Sequence, residues 1–288
     1  MDERIAGEIL TLSATLSDPQ DLCLLPSNRI VLADQELGVF VFDKNGHLRG
    51  SFRELAGSVS VCYNNVLDQL AIVRYNADVD AQDAKYELCT IDSNLQLKTE
   101  RFKLPNSPEV KEGYVRWIES FPETGNYLIT TGDSSVAAIW MFDVKSHKWT
   151  TVYECKDCDL QHTCIRRGTQ NWLLFTNKWD EKSGWNVAQL TLDDSFKVLK
   201  EEAIIMPDGG NLVEPWTICV ISDDLMAVYD YKLGGISLYA FHDGKWRQSE
   251  IVGVVLAGQW VLSVCLFLIL VLNPQFAPID YPYASENV

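Results

Sequence analysis

Residues Arg29 to Phe52 read RIVLADQELGVFVFDKNGHLRGSF. A β-branched and apolar run, Ile30 to Ala33, stops at Asp34, and a second, Val39 to Phe42, stops at Asp43. Asn45-Gly46 then turns the chain into a third run. Apolar runs of this length, punctuated by Asp, Asn and Gly, are the chemistry of strand, turn and strand. No long stretch elsewhere carries a convincing 3.6-residue period, so the chain is expected to be nearly all β.

Three features of this stretch recur along the chain. A short run often centred on cysteine comes first: Leu22-Cys23-Leu24, Val61-Cys62-Tyr63, Arg116-Trp117-Ile118, Thr163-Cys164-Ile165, Ile218-Cys219-Val220 and Val264-Cys265-Leu266. An apolar strand follows, starting at Ile30, Leu70, Tyr127, Trp172, Leu225 and Leu268. Then a strand runs into an Asp-rich turn, at Val41, Thr90, Met141, Thr191, Ala240 and, weakly, Tyr281. From Phe42 the third feature recurs after 49, 51, 50 and 49 residues, at Ile91, Phe142, Leu192 and Phe241. Repeats of three or four short strands at this period predict a β-propeller, whose blades bury their faces against one another.

Six blades are expected in one domain over 1–288, at about 17–56, 57–104, 110–154, 158–204, 212–252 and 258–284. Only five residues follow Tyr283, too few for the outer strand of a sixth blade. The stretch 8–16 alternates Leu10, Leu12, Ala14 and Leu16 with Ile9, Thr11, Ser13 and Thr15, which is strand periodicity. It is expected to complete the sixth blade, closing the ring and hiding its edges.

The stretch from Arg29 to Phe52 resembles an NHL-type repeat, with strands ending in Ala33-Asp34 and Phe42-Asp43 and the turn Asn45-Gly46. Thr130 to Lys148 is similar to a WD-type blade, and Phe142-Asp143 with Trp149 resembles a kelch repeat. All three families are propellers. The NHL-type resemblance implies a six-bladed ring that binds protein or RNA, often beside RING or B-box ligase domains. This sequence shows neither domain, so substrate recognition in a ubiquitin-type pathway would need a partner.

Composition narrows the partners. Among 288 residues, 24 Lys and Arg face 40 Asp and Glu, for a net charge of −16. That sign opposes binding to a phosphate backbone, so no nucleic acid is expected. Eight cysteines are too few for a disulfide framework, and MDERIAGEIL lacks the apolar core of a signal peptide. A cytoplasmic, reducing setting and a monomer are the expectation.

Cys155, Cys158, His162 and Cys164 alone have spacing near that of a metal site, yet structural zinc sites use two separated pairs. Cys164 also falls on the inner-strand position where four other copies carry cysteine, so packing explains it. No metal and no cofactor are expected. His47, His147 and His242 fall in or beside hairpin turns, and no nucleophile motif accompanies any histidine. No catalytic residue is assigned. One alternative is a metal-dependent, lactonase-like hydrolase with Asp18, Asn211 and Glu214 at the channel mouth, by analogy of fold.

The connections between second and third strands share one propeller face with those entering each innermost strand, and rigidly held loops favour binding. They carry Asp34, Glu36, Tyr75, Asp78, Asp80, Asp83, Asp133, Trp179, Asp180, Glu181, Trp185, Asp230, Tyr231 and Phe276. Acid and aromatic side chains on one face suit a basic protein or peptide. The candidate binding residues are Asp34, Glu36, Tyr75, Asp133, Trp179, Trp185, Asp230 and Tyr231. A competing explanation is that Asp simply builds turns.

Ile251 to Ile279 contains no charged side chain, and residues 251–272 are long enough to cross a bilayer. Lys245 and Arg247 would flank such an anchor. The sixth copies of the first two features fall inside the run, which favours a blade over membrane attachment.

Overall fold

A computed structural model describes residues 12–76, 86–92, 96–103, 114–132, 136–205 and 212–253. They form twenty strands in five antiparallel sheets, each a four-strand meander in sequence order. The first sheet holds β1 (Pro19–Leu24), β2 (Ile30–Asp34), β3 (Gly38–Phe42) and β4 (Leu48–Phe52). The second holds β5 (Ser58–Asn64), β6 (Gln69–Tyr75), β7 (Tyr86–Asp92) and β8 (Leu97–Lys103). In the third are β9 (Tyr114–Ser120), β10 (Tyr127–Gly132), β11 (Val136–Asp143) and β12 (Lys148–Lys156). The fourth comprises β13 (Cys158–Arg167), β14 (Trp172–Asp180), β15 (Gly184–Leu192) and β16 (Val198–Ile205). The fifth comprises β17 (Pro215–Ser222), β18 (Leu225–Asp230), β19 (Gly235–His242) and β20 (Lys245–Gly253).

The first strand of each sheet packs on the first strand of the next, β1 on β5, β5 on β9, β9 on β13 and β13 on β17. Sheets arranged in this way are the blades of a propeller. Because each blade has a neighbour, both faces of its middle strands are buried. In β6, Leu70 and Ile72 meet Val31, Ala33, Val39 and Val41 of the first blade. The alternate residues Ala71 and Val73 meet Ile118, Tyr127 and Ile129 of the third. Leu128, Ile139 and Met141 then meet Trp172, Leu174 and Leu190, while Phe175 and Val187 meet Met226, Val228 and Tyr239.

The recurring Asp-rich feature is the turn from third to fourth strand. The Asp43 carboxylate accepts the amides of Asn45 and His47 at 2.9 and 3.0 Å. Asp92 accepts Gln96, Asp143 accepts Lys145 and Ser146, and Asp193 accepts Ser195 and Lys197. An Asp here replaces the backbone acceptor that a reversing chain loses. In the fifth blade the task falls to Asp243-Gly244, a two-residue loop with φ of 52° and 75°, as a type I′ hairpin requires.

The blade count needs correction: among the described residues five blades are present, where six were expected of the chain. Each observed sheet has its turn from third to fourth strand led by Asp, at Asp43, Asp92, Asp143, Asp193 and Asp243, whereas the sequence of 251–272 contains no Asp. The expected sixth blade, 258–284, lies outside the described residues, as do residues 8–11 of the expected closing strand. Within 12–16 no strand is formed. The period-two alternation has a different outcome: Leu12, Ala14 and Leu16 lie on Leu24, Ile30, Leu32, Phe40 and Phe42 of the first blade. Ser13 fastens the segment, donating its amide to the Gly46 carbonyl and accepting the Leu48 amide on Oγ, both at 2.9 Å.

Candidate functional site

In the first, fourth and fifth blades the loop face is built from an Asp that ends the second strand. Asp34, at the end of β2, is fully buried. One carboxylate oxygen accepts the amides of Ser17 and Asp18, at 2.8 and 3.1 Å, and the other those of Glu36 and Leu37, at 3.0 and 2.9 Å. Asp230, at the end of β18, repeats the arrangement. Its Oδ2 accepts Val213 and Glu214 at 2.6 and 2.9 Å, and its Oδ1 accepts Lys232 and Leu233, both at 3.0 Å. One buried carboxylate thus ties the segment entering a blade to the turn between its second and third strands. Asp180 holds the amides of Lys182 and Ser183, each at 2.9 Å, and bonds to the Ser183 hydroxyl. The Ser183 hydroxyl and amide hold the Asp180 carboxyl below its ordinary range.

The first two blades are joined along this face by backbone bonds. Gln35 donates to the Asp18 carbonyl, Gly57 to that of Gln35 and Tyr75 to that of Gly57. Gly57 has a φ of 91°, and an added Cβ would overlap the Tyr75 carbonyl oxygen, so glycine is required there. Tyr75 packs edge-on against Tyr86, with centroids 5.3 Å apart. Glu36 is exposed and accepts a hydrogen bond from the Ser17 hydroxyl. Trp179 and Trp185 are partly buried and face each other in register across β14 and β15. Asp133 lies outside the described residues.

The fifth blade presents an exposed aromatic pair on this face. Trp216 and Tyr231 stack with centroids 4.6 Å apart and planes 14° from parallel. They remain 38% and 45% exposed, and Val213 and Leu233 are exposed beside them in the sequence of the two loops. Trp216 donates its indole N–H to Glu214 at 3.1 Å, while Lys232 lies 3.6 Å from Glu214 and 5.4 Å from the Tyr231 ring centre. Asp230 is buried beneath this arrangement as its clamp, and Tyr231 is part of the exposed surface. Trp216 was not among the sequence candidates, because those were read from the connections between second and third strands and Trp216 lies at the start of an innermost strand.

A second group lies on the innermost strands. Asp21 accepts the Ser60 hydroxyl at 2.7 Å and the amides of Val61 and Leu22 at 2.8 and 2.7 Å. Burial outweighs these donors and raises its carboxyl to about 7. Burial also raises Glu119 to about 7. His162, its ring tilted 51° to that of Trp117 with 3.7 Å between ring centres, is lowered to about 3 by burial. The thiols of Cys23, Cys62 and Cys164 are pushed far up by burial, and that of Cys219 to about 12. Such thiols are poor nucleophiles at neutral pH.

The remaining chemical candidates are spent singly. Cys155 and Cys158 are bonded to each other. Asp18 accepts the Gln20 amide at 2.7 Å, Glu214 is engaged by Trp216 and Lys232, and Asn211 lies outside the described residues. Among the described residues no three His, Cys, Asp or Glu side chains are grouped to hold a metal ion. No described helix is long and apolar enough to cross a membrane.

No protein-family model and no curated protein matches the chain. Solved structures do. A protein from Lactobacillus plantarum is 11% identical with a TM-score of 0.54, the match covering 85% of this chain and 87% of that one. A chain of a nidogen–laminin complex is 10% identical at a TM-score of 0.59, over 82% and 80% of the two chains. Hydrazine synthase of Kuenenia stuttgartiensis is 12% identical at 0.57, over 85% and 68%. At such identities the likeness is one of fold, and the fold is the β-propeller.

Proposed function

We propose that this propeller is a scaffold that holds a basic protein or peptide on its loop face, anchored by Trp216 and Tyr231. The observation carrying this reading is a stacked aromatic pair left exposed on loops that a buried carboxylate holds rigid. Rigid aromatic side chains give contact area at small entropic cost, and they dominate the energetics of many interfaces. The net charge of −16 draws a basic partner toward the protein. Glu36 and the Trp179–Trp185 pair extend the surface around the ring. The similar propeller solved in a nidogen–laminin complex comes from a protein assembly, in keeping with a binding scaffold.

The test is binding of a basic peptide library to the whole chain, followed by fluorescence anisotropy, with charge-reversed peptides as controls. Selected basic ligands are expected to lose at least ~10-fold in affinity for Trp216→Ala/Tyr231→Ala while the melting temperature holds. Unchanged affinity in that variant, or equal binding of acidic peptides, would refute the reading.

A further inference from the structure

Cys155 lies next to the end of β12 and Cys158 opens β13, and the disulfide between them spans the crossover from third to fourth blade, with Cα atoms 6.1 Å apart. A bridge enclosing so few residues restrains the unfolded chain far less than a long-range one. Its position is more telling than its contribution to overall stability. Cys158 is buried with Phe121, Leu160 and Trp172 in the core between the blades, whereas Cys155 is partly exposed at the edge of that core. In the ladder, Cys158 pairs with Asp180, the carboxylate that holds the turn of the 178–186 hairpin and its two tryptophans. The next residue, Asp159, lies 3.6 Å from Arg116 of the third blade. The bridge therefore sits where the inter-blade crossover meets the turn end of that hairpin.

We propose that Cys155–Cys158 is a redox-switchable bridge, opened and closed by a small thiol–disulfide couple such as glutathione, which controls the order of the 178–186 hairpin. In reduction, a glutathione thiolate attacks the accessible Sγ of Cys155. The S–S bond breaks, and its electron pair leaves on Sγ of Cys158, which takes up a proton. A second glutathione thiolate attacks the glutathione sulfur of the mixed disulfide and expels Cys155 as thiolate, releasing oxidised glutathione. Two electrons reduce the protein while two glutathione molecules are oxidised, and closure is the reverse. The other described thiols do not compete: Cys62 and Cys89 are buried, and burial keeps Cys23, Cys164 and Cys219 protonated.

The experiment equilibrates the full chain with set ratios of reduced to oxidised glutathione, quenches with acid, alkylates and digests with trypsin. Cleavage after Lys156 leaves peptides 149–156 and 157–166 joined with one alkyl group, on Cys164, when the bridge is closed, and separate with one and two alkyl groups respectively when it is open. A reversible transition is expected between the two forms. Amide exchange across 178–186 should be roughly tenfold faster in the reduced chain, and in Cys155→Ser at every ratio. A pair that stays joined or stays open at all ratios overturns the proposal. So does hairpin exchange that is the same in both forms. These readouts need no ligand, so they stand or fall separately from the binding face.

Discussion

The Ser60 hydroxyl donates to the Asp21 carboxylate at 2.7 Å across the junction of the first two blades, and the same hydroxyl oxygen accepts the Ile118 amide of the third at 3.1 Å. One serine therefore stitches three innermost strands. Between the third and fourth blades the same task falls to hydroxyls, with Thr130 donating to Thr163 at 2.7 Å and Thr163 to Thr176 at 3.2 Å. Replacing Ser60 with Ala leaves Asp21 with one donor fewer inside the protein. The expected loss is ~1–3 kcal/mol by urea unfolding, because a buried acceptor forfeits its partner without regaining water. Thr176→Ala, at the end of its chain, should cost less.

The inner carboxylates should give the fold an unusual pH dependence. Asp21 and Glu119 sit near 7 in the folded chain, above their ordinary values of 3.8 and 4.5. Their folded forms keep protons that the unfolded forms release, so their contribution is full in acid and is lost as pH rises towards 7. His162 works the other way. Its value near 3 lies below 6.5, so its contribution is present above 6.5 and is lost as pH falls. Two groups against one leave a net loss of ~2–3 kcal/mol from pH 5 to 7. In Asp21→Asn/Glu119→Gln only the histidine remains, and the slope should change sign. Urea titrations at the two pH values check both.

Asp230→Ala removes the acceptor of four amides at once. Hydrogen exchange at 213–214 and 232–233 should rise together, although the two segments are far apart in sequence. A stability loss of at least ~2 kcal/mol should accompany it, given that each bond to a charged acceptor contributes ~1.5–3 kcal/mol. The stacked pair would lose its fixed spacing, visible as a shift in Trp216 fluorescence. Asp34→Ala should reproduce the exchange effect at 17–18 and 36–37 without that shift.

These carboxylates mark what could be read from the sequence. Their positions were legible, because a strand ending in Asp before a turn is local chemistry. Their role was not. An Asp exposed on a face and an Asp buried as a clamp look alike until Ser17 and Val213 are brought back beside β2 and β18 by the preceding chain. The Asp43, Asp143 and Asp193 turns were visible for the opposite reason, since donor and acceptor there lie within four residues. His162 drew notice only for its spacing from the cysteines, because its actual environment comes from Trp117 on another blade. The fifth blade kept its period through Asp243-Gly244, and the sixth copy, at Tyr281, had no such turn from which to count.

The two end blades lead to the last prediction. In the fifth blade Met226, Val228 and Tyr239 turn toward the fourth. The alternate residues Ala227, Tyr229, Ile236 and Leu238 turn the other way, yet none is more than 8% exposed. In the first blade the corresponding outward set, Leu24, Ile30, Leu32, Phe40 and Phe42, lies under Leu12, Ala14 and Leu16. A chain ending at Gly253 is therefore expected to melt at lower temperature and to bind a hydrophobic dye, since exposing each of Tyr229, Ile236 and Leu238 costs ~1.5–3 kcal/mol. Deleting 1–16 should do the same through Phe40 and Phe42. A membrane anchor in 251–272 makes the opposite prediction: the shortened chain would melt unchanged, and only the full chain would partition into detergent. Calorimetry and detergent partition on the same two chains separate the outcomes.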